Sequence, residues 1–104
     1  MRPDTVIELL KTEDGTNENG FGVLNILGRK TVFGEKYSIR SSEFYQASQS
    51  GYVLELMFQI YKLEYDSEKY LAYQSKIYKI IRTYEKNNKV ELVCQAYDES
   101  PVRT

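Results

Sequence analysis

Apolar residues recur at alternate positions through most of this chain, and polar clusters interrupt the alternation at intervals that mark strands and turns. The longest such run covers residues 52–65. There Tyr52, Leu54, Leu56, Phe58 and Ile60 would line one face of a strand, and Val53, Glu55, Met57, Gln59 and Tyr61 the other. At ~3.3 Å per residue the run would exceed ~40 Å, far beyond an ordinary strand, so it either bends between two sheets or projects past the domain.

The remaining segments read in the same way. Residues 4–11, with Val6, Ile7, Leu9 and Leu10, predict a first strand. Residues 12–20 contain turn formers and no aliphatic side chain, and predict an exposed hairpin connection. Residues 21–27 and 31–39 predict two further strands separated by Gly28-Arg29-Lys30, with Gly22 and Gly34 marking bulges or close backbone contacts. Residues 41–50 predict one short helix, with Ser41 and Ser42 as caps, Glu43 in the first turn and Gly51 as the stop. Phe44, Ala47 and Tyr45 form a narrow stripe on it, which either docks on the domain's own core or faces a neighbouring subunit.

After the polar break Asp66-Ser67-Glu68-Lys69, residues 70–73 and 76–84 flank a tight Gln74-Ser75 turn. Lys86-Asn87-Asn88-Lys89 then turns the chain into a last strand, with Val90, Leu92, Cys94 and Ala96 on one face. The fold class expected is mainly β: a small antiparallel β-barrel or sandwich with one short helix and long loops, forming a single domain over residues 1–104.

Composition narrows the functional classes. At 104 residues one core is all the chain can build. No apolar run approaches the ~20 residues of a membrane helix. The start of the chain lacks the apolar region of a signal peptide, and the single cysteine, Cys94, has no partner for an internal disulfide; both lead to the expectation of a reducing, intracellular origin. Fourteen basic residues against fifteen acidic leave no strong field for a nucleic-acid backbone.

The chain has no histidine, so Ser-His and Cys-His activation are unavailable and zinc would lack its commonest nitrogen ligand. Asp14, Asn17 and Glu18 do not follow the spacing of a calcium loop. Gly20, Gly22 and Gly34 lack the Gly-Lys-Ser/Thr ending of a phosphate loop. Paired catalytic carboxylates near residue 55 or residues 64–68 have no sign of a cleft, and Cys94 reads as a small core residue. The expectation is a protein that is not an enzyme, with no cofactor and no metal. Ten tyrosines either suit surfaces that are apolar on one side and hydrogen-bonded at the rim or are ordinary strand residues favoured by β-propensity.

The run Tyr37-Ser38-Ile39 through Ser42-Glu43-Phe44-Tyr45-Gln46-Ala47, the long strand, and Tyr70-Leu71-Ala72-Tyr73-Gln74-Ser75-Lys76-Ile77-Tyr78-Lys79-Ile80 together resemble the head closure (head-tail connector or adaptor) proteins of long-tailed bacteriophages. Ser75 stands where that pattern has glycine, and Tyr61-Lys62 where an arginine is usual. The resemblance implies a β-barrel that assembles with itself into a ring, commonly a dodecamer, in the neck of the virion. The ring would sit beneath the portal-bound adaptor protein, close the channel after packaging and dock a tail completion or tail terminator protein. Genomic double-stranded DNA would pass through it non-specifically, and no membrane is involved. The chain would be made in the host cytoplasm. Candidate subunit or channel contacts are then Glu43, Phe44, Tyr45 and Gln46 on the helix and Asp14, Asn17 and Asn19 in the polar loop.

Two other classes compete. One is a tail completion or tail terminator ring protein. The other is an OB-like barrel binding single-stranded nucleic acid through exposed tyrosines and the lysines and arginine of the last hairpin, Lys76, Lys79, Arg82, Lys86 and Lys89.

Overall fold

Every strand in the computed structural model, which describes residues 4–16, 20 and 22–97, pairs antiparallel with its neighbours, and the sheet closes on itself. In chain order the elements are β1 (Thr5–Thr16), β2 (Gly22–Tyr37), α1 (Ser41–Gln49), β3 (Leu54–Tyr61), a 3₁₀ turn (Lys62–Glu64), β4 (Tyr70–Tyr73), β5 (Lys76–Lys86) and β6 (Lys89–Ala96). Around the barrel the order is β1-β2-β3-β6-β5-β4, with β4 returning to β1. The expected mainly β fold with one short helix is what forms, and closure removes most of the edges along which an open sheet would aggregate. No helix among the described residues is long and apolar enough to cross a membrane.

A six-stranded barrel is too narrow for a lumen, and its interior is filled by side chains. Ile7, Leu9, Phe58, Leu71, Leu92 and Cys94 belong to this inner cluster, each at most 1% exposed. Phe58 meets Tyr73 edge to face at 5.0 Å. Alternation sends the intervening residues outward, where two smaller clusters form. Leu10, Tyr70 and Ala72 lie beneath Leu24, Ile26, Ile77 and Tyr97. Leu54, Met57 and Val93 lie beneath Ile39, Ala47 and Ile81, so α1 covers the outside of β3 and β6. Burying each large side chain there stabilises the fold by roughly 1.5–3 kcal/mol relative to exposure.

Several elements differ from the sequence expectation. Residues 12–16 are not loop but the continuation of β1, facing residues 22–26 of β2. A hairpin ladder satisfies backbone groups whatever its side chains, which is why a polar stretch can still be strand. Asn17 and Asn19 lie outside the described residues. The predicted break at Gly28-Arg29-Lys30 is absent, and β2 runs through it. The irregularity is instead a bulge: Lys11 faces Gly28 but Thr12 faces Ile26, leaving Leu27 as the extra residue.

The 14-residue strand is also corrected, because β3 stops at Tyr61 and the chain bends into the 3₁₀ turn. The Lys62 N–H donates to the Asn88 carbonyl at 2.8 Å and the Tyr65 N–H to the Lys62 carbonyl at 3.1 Å. A slip in register between Leu54 and Leu56 moves Leu54 onto the face of Met57, away from Leu56 and Phe58.

Gly34 is the close backbone contact that the sequence suggested. There β2 leaves β1, which it follows up to the pair Thr5 and Gly34, and joins β3 through Glu35, Lys36 and Tyr37. A methyl on Gly34 would lie 2.5 Å from the Gln59 carbonyl oxygen and 2.7 Å from Ile60 Cγ2. The Gln74-Ser75 turn has two residues, as expected, and holds both in the left-handed region, φ 51° and 66°. At the last turn Asn87 adopts φ 58°, which asparagine tolerates.

Candidate functional site

The helix α1 is fixed at both ends by backbone geometry. Its N-cap is Arg40, extended and without a side-chain cap, so Ser41 and Ser42 lie inside the helix and do not cap it. Gly51, at φ +90°, supplies the stop. The Gly51 N–H donates to the Ser48 carbonyl at 3.1 Å and the Tyr52 N–H to the Ala47 carbonyl at 2.9 Å, the pair of bonds that defines a Schellman ending.

Of the four helix residues singled out as contacts, Glu43 turns inward and the other three outward. The Glu43 side chain is only 10% exposed. Arg82 of β5 donates to its Oε2 from both Nε, at 2.6 Å, and Nη2. Arg40 donates to Oε1 at 3.1 Å and, from its other terminal nitrogen, to both oxygens of Glu91 at 3.1 and 3.2 Å. The neighbouring carboxylates, Glu91 foremost, raise the pKa of the Arg40 guanidinium. The position of Glu43 in the first turn also suits the positive end of the helix dipole. Its role is therefore to clamp α1 to the barrel, and its charge is engaged within the chain.

Phe44 and Tyr45 form an edge-to-face pair at 5.8 Å on the solvent side, with Tyr45 67% exposed. The expected stripe thus divides: Ala47 docks on the outer cluster, while Phe44 and Tyr45 stay out. Gln46 is exposed at the rim of a groove of about 250 Å³ between α1 and β5, whose walls include Ala47, Tyr52, Leu54 and Ile81. Asp14 is not brought to this surface; its backbone faces Leu24 on the β1–β2 ribbon.

Sequence reading missed a second group of exposed apolar residues. Val6 and Phe33 face one another across β1 and β2, each about half exposed. Leu63, 97% exposed, stands on the 3₁₀ turn. Alternation separates two faces of a strand but does not say which stays uncovered, and Leu63 was absorbed into a strand that ends before it.

The basic residues of the last hairpin do not form one patch. Arg82 is bound to Glu43, and Lys76 lies beside the Gln74-Ser75 turn at the opposite end of β5 from Lys86, which faces Lys89. Lys62, which joins them near the tip, pairs with Glu85 at 3.1 Å.

Cys94 is fully buried in the inner cluster, and burial pushes its thiol up to about 12, so it stays protonated at neutral pH. Tyr65, partly buried, packs against the inner cluster. Its hydroxyl donates to the Glu68 carbonyl at 2.6 Å, and burial pushes its pKa up to about 12. The side chain of Glu68, a residue only 7% exposed, accepts from the Asp66 N–H at 2.8 Å and ties the same loop.

No protein-family model matches the chain, and no curated protein matches it.

Proposed function

We propose that this chain is a non-catalytic assembly subunit of the head-closure type, forming a ring in the neck of a long-tailed bacteriophage that closes the DNA channel and docks the tail. The observation that carries the reading, beyond the sequence resemblance, is the division of α1. One side is locked to the barrel through Glu43, and the other holds Phe44 and Tyr45 in water. Apolar side chains fixed rigidly on a surface bind at low entropic cost and mark contact sites on proteins. Several weak copies of such a contact acting on one circular partner give strong binding through effective concentration.

The test is to locate the protein by cryo-electron microscopy in particles assembled with it, alongside complementation by a Phe44→Ser/Tyr45→Ser variant. A ring between the adaptor and the tail, with the variant's particles losing DNA or failing to join tails, supports the reading. Density only at the upper end of the tail would assign it to the tail-terminator class instead. High-affinity binding of single-stranded DNA with steep salt dependence would favour the nucleic-acid-binding class.

A further inference from the structure

Leu63 is a knob that the fold holds out on purpose-built backing. It is 97% exposed, yet the turn that carries it is held by one bond within itself and by two to other parts of the chain. Lys62 N–H donates to Asn88, Tyr65 N–H donates to Lys62, and the Lys30 ammonium donates to the Glu64 carbonyl at 3.0 Å. An apolar side chain on a braced turn loses little freedom when it is buried against something.

The α1–β5 groove has the complementary character. Its apolar walls are Ala47, Tyr52, Leu54 and Ile81, with Glu43 and Arg82 also lining it, and about 250 Å³ is ample for an isobutyl group. The charge beside it also has a sign. In the Arg82–Glu43–Arg40–Glu91 network the acids are the covered members, their side chains 10% and 16% exposed, while the arginine side chains are 49% and 52% exposed. Solvent therefore meets guanidinium there. Leu63 is flanked by Glu64 and by the exposed Asp66, and the adjacent Lys62 is neutralised by Glu85.

Groove and knob sit at opposite ends of β3, from Leu54 to beyond Tyr61, about 23 Å apart at ~3.3 Å per residue. A chain cannot fill its own groove with its own Leu63. Two complementary patches at different places on one subunit make a heterologous, head-to-tail contact, the kind that propagates around a ring.

We propose that Leu63 of one copy seats in the α1–β5 groove of the next, with Glu64 and Asp66 beside the neighbour's Arg82 and Arg40. This rests on the ring reading and names the contact that would build it.

The test uses two surface variants, Leu63→Glu and Gln46→Trp, the second laying an indole across the groove. Both positions are exposed, so both variants are expected to fold with the circular dichroism of the parent, and Ser50→Trp replaces Gln46→Trp if the latter does not. Native mass spectrometry of the parent should show multimers, and each variant alone should fall to the 12.2 kDa monomer. Mixing the two should restore a 1:1 heterodimer and nothing larger, because one partner keeps the groove and the other keeps the knob. Leu63→Met should assemble like the parent. Full-sized multimers from Leu63→Glu would overturn the contact while leaving the ring reading intact, as would a mixture that yields no heterodimer. A parent protein that stays monomeric both alone and with the portal-bound adaptor would overturn both.

Discussion

Arg82 Nε on β5 donates to Glu43 Oε2 on α1 at 2.6 Å, and this bond joins residues 39 positions apart in the chain. It decides how the helix sits. With the carboxylate pulled onto the barrel, Ala47 is brought over Leu54, Met57 and Val93, and Phe44 and Tyr45 are turned to solvent.

Removing the carboxylate should loosen α1 more than removing one arginine. Glu43 has two arginine partners, whereas Arg82 is half exposed and water can solvate it when alone. Breaking a fully buried pair costs about 3–5 kcal/mol, and the exposure of the arginines brings the expectation for Glu43→Ala down to about 1–2 kcal/mol, with Arg82→Ala nearer 1. Urea unfolding of both single variants and the double variant measures this. A coupling energy indistinguishable from zero would show that the pair does not hold the helix.

Gly34 should accept no side chain. The carbonyl of Gln59 is backbone and cannot swing away from a methyl placed 2.5 Å from it, so Gly34→Ala must displace β2 from β3 at the corner where β2 changes partners. Overpacking of this kind costs about 1–3 kcal/mol. Thermal unfolding should show the loss directly, while Gly28→Ala, whose added methyl would meet only Lys11 Cβ at 4.0 Å, serves as a mild control.

The turn at Gln74-Ser75 is improvable for the opposite reason. Both residues hold positive φ without being glycine or asparagine, and each non-glycine residue in that region costs roughly 1 kcal/mol. Ser75→Gly should therefore raise stability by about 0.5–1 kcal/mol, and Gln74→Asn together with Ser75→Gly by somewhat more, since Asn-Gly is the preferred pair for such hairpins. An unchanged melting temperature in the double variant would refute this account of the turn.

How far the sequence could be read follows from these same residues. The β-rich class, the single helix, the two-residue turn and the inward face of Val90, Leu92 and Cys94 were legible because each depends on local periodicity or turn chemistry. Gly34 was legible as a close contact, though not which strand approaches it, because glycine reports the need for space and not its source. The bulges at Leu27 and before Leu56 were illegible. A bulge is set by the register of two strands, and one-chain alternation gives no sign of it. For the same reason Glu43 read as an outward contact: its partner Arg82 is far along the chain, and nothing local marks a carboxylate that will be covered.

Alkaline pH should destabilise the fold through Cys94. The native state holds the thiol proton up to about 12, against an ordinary value of 9.0, because burial disfavours the thiolate. Below about pH 9 both states are protonated and the full stability is present. As pH rises from there toward 12, the unfolded chain gives up a proton that the folded chain keeps, and stability falls by at most about 1.4 kcal/mol per pH unit for this group. Tyr65, pushed up to about 12 from 10.0, adds to the loss over the upper part of that window, but more weakly, since it is only partly buried and solvent screens it. Cys94→Ala removes the titrating group at the cost of a small cavity, so it should be less stable than the parent at neutral pH yet show a flatter decline between pH 9 and 12. Equilibrium unfolding in urea across that range, with a thiol reagent used in parallel to follow exposure of Cys94, measures both parts. Equal slopes for parent and variant would show that the thiol is not the group responsible.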